Sequence, residues 1–115
     1  MFKNKVGRKF SRETDQRAAF IKSLSEALIL HGRITTTEAR AKELRGVVER
    51  YITKAKVDNF NTIRYLQKYV GEKASKKLVK EIGPKYKDRK GGYTRVIKLA
   101  PRMSDSAKMA IIELI

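Results

Sequence analysis

Apolar residues recur along this chain with two different periods, and the switch between them marks its organisation. Phe20, Leu24, Ala27 and Leu28, with Ile21 beside them, follow the spacing of one helix face. Ser11 is placed to cap that helix, and Glu13 and Asp15 suit the positive end of its first turn. His31-Gly32 predicts its end, because glycine accepts the left-handed conformation common after helices. Arg33-Ile34-Thr35-Thr36 is β-branched and predicts a short strand. Thr37 then caps a second helix whose apolar stripe runs Ala41, Leu44, Val48, Tyr51 and Ala55, widened by Val47 and Ile52. Asp58 opens a third helix with Phe60, Ile63, Leu66 and Val70 predicted inward. A fourth, over Glu72 to Ile82, uses Ala74, Leu78, Val79 and Ile82 and is expected to stop at Gly83-Pro84, since proline cannot continue a helix.

Beyond Gly83 the alternation changes to that of strands. Tyr93, Arg95, Ile97 and Leu99 are predicted on one face, with Thr94, Val96 and Lys98 on the other. Pro101 breaks this run, and Met109 to Ile115 reads as a last strand. About nine residues separate the two, enough for an antiparallel return. Helices first and paired strands last predict an α+β fold, with the helices packed on one face of a small, mainly antiparallel sheet. A single domain is expected over residues 1–115, with 1–10 as a basic N-terminal extension.

Charge changes the picture most. Lys plus Arg is 28 and Asp plus Glu is 12, for a net charge of +16. Such an excess repels itself in a folded chain, so it calls for a polyanion, and nucleic acid is the commonest one. A membrane surface is the competitor, but no apolar run long enough to span a bilayer is present, and basic residues without an apolar segment behind them do not make a secretory signal. With no cysteine, disulfides and thiolate–zinc sites are excluded, which suits an intracellular chain.

Catalytic signatures are weak. His31 is the lone histidine and sits at a predicted helix end, where an imidazolium is favoured by the helix dipole. No carboxylates or histidines show metal-ligand spacing, no serine has a suggested histidine partner, and Gly91-Gly92 lacks the Lys-Ser/Thr of a nucleotide-hydrolysing phosphate loop. No enzyme, cofactor or small-molecule substrate is expected. A nuclease holding metal through Glu43, Glu49 or Asp88 and a DNA-binding helix pair around His31 to Thr37 are the alternatives. The first lacks a shared carboxylate face, and the second lacks a helix carrying Asn, Gln and Arg for base edges.

RNA suits the distribution of charge better. Residues Met1 to Phe10 carry Lys3, Lys5, Arg8 and Lys9 with no acid, which describes an arm that orders only against its partner. From Lys85 to Arg102 the basic residues are Lys85, Lys87, Arg89, Lys90, Arg95, Lys98 and Arg102, against Asp88 alone. Tyr86 and Tyr93 are interleaved and offer faces for unstacked bases. Gly91 and Gly92 allow close approach to a phosphate, and arginine forks grip it bidentately. On the second helix, whose charges are mixed, Arg40, Lys42 and Arg45 are the positions best suited to reach RNA. Tyr51, Phe60, Tyr65 and Tyr69 lie at helical spacing and are read as core or boundary residues.

Four segments, in order, resemble the bacterial ribosomal protein seventeen family of the large subunit. The most specific is Gly83-Pro84 followed by Arg89-Lys90-Gly91-Gly92-Tyr93-Thr94-Arg95. Ile34-Thr35-Thr36-Thr37 leading into Ala41-Lys42-Glu43-Leu44-Arg45-Gly46 is the second. Gly7-Arg8-Lys9-Phe10 through Arg12 to Arg17 and Ala19 is the third, and Asp105 through Ala107, Met109 and Ala110 to Leu114 is the fourth. The resemblance implies a structural protein of the large ribosomal subunit, cytoplasmic or organellar, that binds folded 23S-type rRNA beside neighbouring ribosomal proteins. It implies RNA contact by Lys3, Lys5, Arg8, Lys9, Arg12 and Arg17 and by the loop of Arg89, Lys90, Gly91, Gly92, Tyr93, Thr94 and Arg95. Lys42, Arg45 and Arg102 complete the candidate set.

Overall fold

Thr37 and Asn59 cap helices where the chain changes direction in the computed structural model, which describes residues 14–115. The predicted Ser11 cap and basic arm lie outside the described residues. Helix α1 (Thr14–His31) ends as its sequence requires: Gly32 takes a φ of +82° and its N–H donates to the Leu28 carbonyl at 2.7 Å. Strand β1 (Arg33–Thr37) leads straight into α2 (Glu38–Ala55), where the Thr37 side chain accepts from the Arg40 N–H at 3.3 Å. Helix α3 (Phe60–Val70) is capped by Asn59 rather than Asp58, because the Asn59 side chain accepts from both the N–H and the hydroxyl of Thr62, at 2.9 and 3.2 Å. Helix α4 (Glu72–Lys77) follows, and the chain closes with β2 (Thr94–Lys98) and β3 (Met109–Leu114).

The sheet order is β1-β3-β2, antiparallel throughout, with β3 at the centre. Thr36 opposite Ala110 and Ile34 opposite Ile112 face inward, and Thr94 and Val96 continue that face on β2. Helix α2 covers this face with Ala41, Leu44, Val48, Ile52 and Ala55, all buried. Leu28 and Ile29 of α1, with Leu66 and Val70 of α3, belong to the same core. Full burial of each valine, leucine or isoleucine among them is worth about 1.5–3 kcal/mol. The predicted α+β arrangement, helices on one face of an antiparallel sheet, is therefore the observed one.

Three expectations are corrected. Phe60 is 70% exposed and Thr62 takes the inward position beside Leu66, because the Asn59 cap sets the first turn's rotation. On α2, Ile52 enters the core and Tyr51 stays half-buried at its margin. Gly83-Pro84 does not stop the fourth helix. A π-helical turn over Leu78–Ile82 widens the ladder, the Gly83 N–H reaches back to the Leu78 carbonyl, and a last turn α5 (Gly83–Lys85) follows with proline in its opening positions. Proline lacks the N–H and crowds the preceding turn of an α-helix, and the wider turn relieves that conflict.

Gly83 has a right-handed φ of −54°, so it is not there for a left-handed cap. It lets the two helix ends touch: a Cβ at this position would lie 2.5 Å from the Ala55 carbonyl oxygen. Gly83→Ala is expected to destabilise the fold by about 1–3 kcal/mol, since backbone rather than a flexible side chain must yield; chemical denaturation measures it. Ser25 carries a buried hydroxyl without a hydrogen-bond partner among the described residues. Ser25→Ala should raise the unfolding free energy by roughly 1 kcal/mol in the same assay.

Candidate nucleic-acid interface

The loop between α5 and β2 stands on two tyrosines that the chain buries. Tyr86 is 4% and Tyr93 1% exposed, with ring centres 5.3 Å apart and planes tilted by 56°. The Tyr86 hydroxyl donates to the Ile115 carbonyl, and the Ile115 N–H donates to the Tyr93 carbonyl at 2.9 Å. The Tyr93 hydroxyl donates to the Arg89 carbonyl at 3.1 Å and accepts from the Thr53 hydroxyl at 3.4 Å. Lys56 lies 4.8 Å over the Tyr93 ring and donates to the same Arg89 carbonyl. Interaction with the Lys56 ammonium, then the Thr53 hydroxyl, holds the Tyr93 phenol below its ordinary pKa.

The expectation that Tyr86 and Tyr93 offer faces to bases is thereby corrected. They are posts beneath the loop, and Tyr93 precedes β2 instead of sharing a face with Arg95 and Ile97. Gly92 causes the break: its φ of +64° turns the chain just before the strand, so alternation starts at Thr94. Thr94 is buried too, donating its N–H and hydroxyl to Glu49 Oε2 at 3.3 and 3.0 Å.

What remains outside is a cationic edge. Arg89 Nε donates to the carbonyls of Gly91 and Gly92, 3.1 Å each, which tightens the loop and leaves the other four N–H donors of its fork uncommitted among the described residues. Lys87, Arg89, Lys90 and Gly91 are exposed, and none of the three cations has an ion-pair partner among the described residues. A Cβ on Gly91 would meet nothing within 4 Å, so that stretch of backbone is open to approach.

The other predicted cations are placed differently. Lys42 pairs with Glu38 at 3.0 Å, and Lys98 reaches the same carboxylate at 3.6 Å. The hydrogen bond from Lys42, above all, lowers the Glu38 pKa. Arg45 lies 3.8 Å from Glu49, and Arg95 2.6 Å from Glu113, which Arg33 also approaches from the neighbouring strand. The cations stay half or more exposed while their carboxylates are largely covered, so the pairs moderate these cations without removing them from the surface. Arg102 is held more firmly: its Nε and one terminal nitrogen grip both Asp105 oxygens at 3.0 and 2.9 Å, in a turn where Ser106 takes a φ of +59°. Arg17 lies on α1 and lines a separate groove with Arg50 and Lys68. Lys3, Lys5, Arg8, Lys9 and Arg12 lie outside the described residues.

Among the described residues no group of three His, Cys, Asp or Glu side chains could hold a metal, and no helix is long and apolar enough to cross a membrane. The Arg102 hydrogen bond first, and the Ala107 N–H second, lower the Asp105 pKa from 3.8 to about 2. The pair's contribution is therefore complete above the ordinary carboxyl range and fades as pH falls through about 2. A carboxyl-carbon NMR titration should put the Asp105 midpoint near 2, and Arg102→Gln should return it towards 3.8.

Three relatives and one family describe what this chain is similar to. The family profile for ribosomal protein L17 matches residues 20–115. The large ribosomal subunit protein bL17 of Thermoanaerobacter sp. (strain X514) is 50% identical over 109 residues, covering 94% of this chain and 97% of the relative. The bL17 of Campylobacter jejuni subsp. jejuni serotype O:2 is 50% identical over 109 residues, covering 94% and 93%. That of Chlorobium phaeovibrioides is 53% identical over 116 residues, covering 100% of this chain and 66% of the relative.

Proposed function

The chain belongs to the ribosomal protein L17 family, and on that premise we propose that it is a structural, non-enzymatic constituent of the large ribosomal subunit that binds and stabilises folded 23S-type rRNA. One observation carries the finer reading. Lys87, Arg89 and Lys90 outnumber the one acid of this edge, Asp88, and have no ion-pair partner among the described residues, while Tyr86, Tyr93 and Lys56 hold its backbone from below. A cationic edge fixed in advance meets phosphates without first losing loop entropy, whereas the same residues on a slack loop would lose affinity to ordering.

The mechanism is neutralisation of phosphates that RNA folding brings close together. Arg89 supplies a planar fork, Lys90 a point charge, and the open backbone at Gly91 a place where a phosphate oxygen can come near. The arm carrying Lys3, Lys5, Arg8 and Lys9, with Arg12, extends this grip to a second strand and orders as the RNA closes around it. Lys42, Arg45 and Arg95 add weaker contacts, since each already shares its charge with a carboxylate. Arg102 contributes least, being chelated by Asp105. In this reading residues 1–115 act as one domain with an RNA-ordered leader, beside neighbouring large-subunit proteins.

Binding of the full chain to large-subunit rRNA should weaken about 10³- to 10⁵-fold between 50 and 200 mM salt if roughly eight phosphates are neutralised. Arg89→Gln with Lys90→Gln should weaken binding at low salt and lower the steepness of the log–log salt plot by roughly one per cation removed. A flat salt profile, or preference for duplex DNA over the rRNA, would sink the proposal. The chain should also sediment with the large subunit and leave it only at high salt.

A further inference from the structure

Helix α3 presents aromatic surface that its packing does not need. Leu66 and Val70 already fill its inward face and are fully buried. Tyr69 is nevertheless 40% exposed, backed by Tyr51 of α2 in a stacked arrangement with ring centres 5.7 Å apart and planes 29° from parallel. These two rings form one wall of a groove of about 740 Å³ between α1, α2 and α3. Arg17 and Lys22 of α1, Arg50 of α2 and Lys68 of α3 surround it, and no acidic residue among the described ones lines it.

The structure assigns this groove, we propose, to an unpaired RNA nucleotide whose base stacks on Tyr69 while its phosphates lie among Lys22, Arg50 and Lys68. Four cations from three helices favour an anionic occupant, and the ring pair favours a flat aromatic one; a nucleotide combines both. The volume lies within the range of about 300–1,000 Å³ that encloses a ligand of that size. Arg50 also lines the shallow hollow containing Lys90 and Gly91, so the groove continues the cationic edge already described. This inference rests on the RNA-binding reading above but adds a base contact that phosphate neutralisation alone does not supply.

The test compares binding of the full chain to a short oligouridylate and to an abasic strand of equal length, at matched salt. Wild type should prefer the base-bearing strand about 5- to 100-fold. Tyr69→Leu should abolish the preference and Tyr69→Phe should keep it, with unchanged thermal unfolding showing that both variants fold. Lys68→Gln should weaken both strands alike and lower the salt dependence by about one ion. No preference in wild type, a preference surviving in Tyr69→Leu, or polyglutamate of equal charge binding as tightly as oligouridylate overturns the groove. If large-subunit rRNA is still bound in a salt-sensitive way when the groove fails, the interface at Arg89 and Lys90 stands alone; if that binding is absent too, the RNA-binding reading falls with it.

Discussion

Strand β3 lies between β1 and β2, and nearly every long-range feature of the described fold depends on that pairing. Its Ala110 and Ile112 complete the inner face on which α2 rests. Beyond its last rungs, the Leu114 N–H donates to the Gly32 carbonyl and the Ile115 N–H to the Tyr93 carbonyl, each at 2.9 Å. The same segment therefore ties the exit of α1 to the base of the cationic loop. Because the Tyr86 hydroxyl also ends on Ile115, withdrawal of the strand would free both tyrosines and slacken the edge they support.

A second constraint is self-repulsion. A net charge of +16 on 115 residues is tolerable only if the few acids stand where repulsion would cost most. Glu113 sits on the central strand between Arg33 and Arg95, which register brings to either side of it. Glu49 serves Arg45 and also anchors Thr94 at the start of β2. Glu38 lies between Lys42 and Lys98, joining α2 to the sheet. Two of the acids, Glu38 and Glu49, thus stand where helix meets sheet. The loop of Arg89 and Lys90 and the groove at Arg50 and Lys68 keep positive potential that a polyanion can use.

Much of this was legible from periodicity. The element order, the antiparallel return and most of the α2 stripe follow from local spacing, because burial on one face leaves a regular mark. Where expectation failed, a non-local contact had intervened. Gly83-Pro84 reads as a stop until the approach to Ala55 is known, since that contact gives the glycine a reason other than chain reversal. Phe60 looks inward by period alone, but the Asn59 cap rotates the first turn away from it. The candidate site divided in the same way: Arg89, Lys90 and Gly91 are exposed as expected, whereas Tyr86, Tyr93 and Thr94 are buried. The groove cations Lys22, Arg50 and Lys68 could not be grouped in advance because they come from three separate helices.

The amino-acid order by itself determined the α+β class, the family and the sign and rough location of the charge, since these depend on residue type and near-neighbour spacing. Only tertiary structure decided which aromatic rings face solvent. Tyr86 and Tyr93 sit in a basic, glycine-containing stretch that looks like a surface loop, yet Ile115 beyond β3 accepts from the Tyr86 hydroxyl and donates to the Tyr93 carbonyl, and Arg89 and Thr53 hold the Tyr93 hydroxyl, which draws both rings in. Tyr69 sits on a helix whose inward stripe is already full, so it remains outside. Burial is competition for a limited interior, and that competition is settled among residues far apart in the chain.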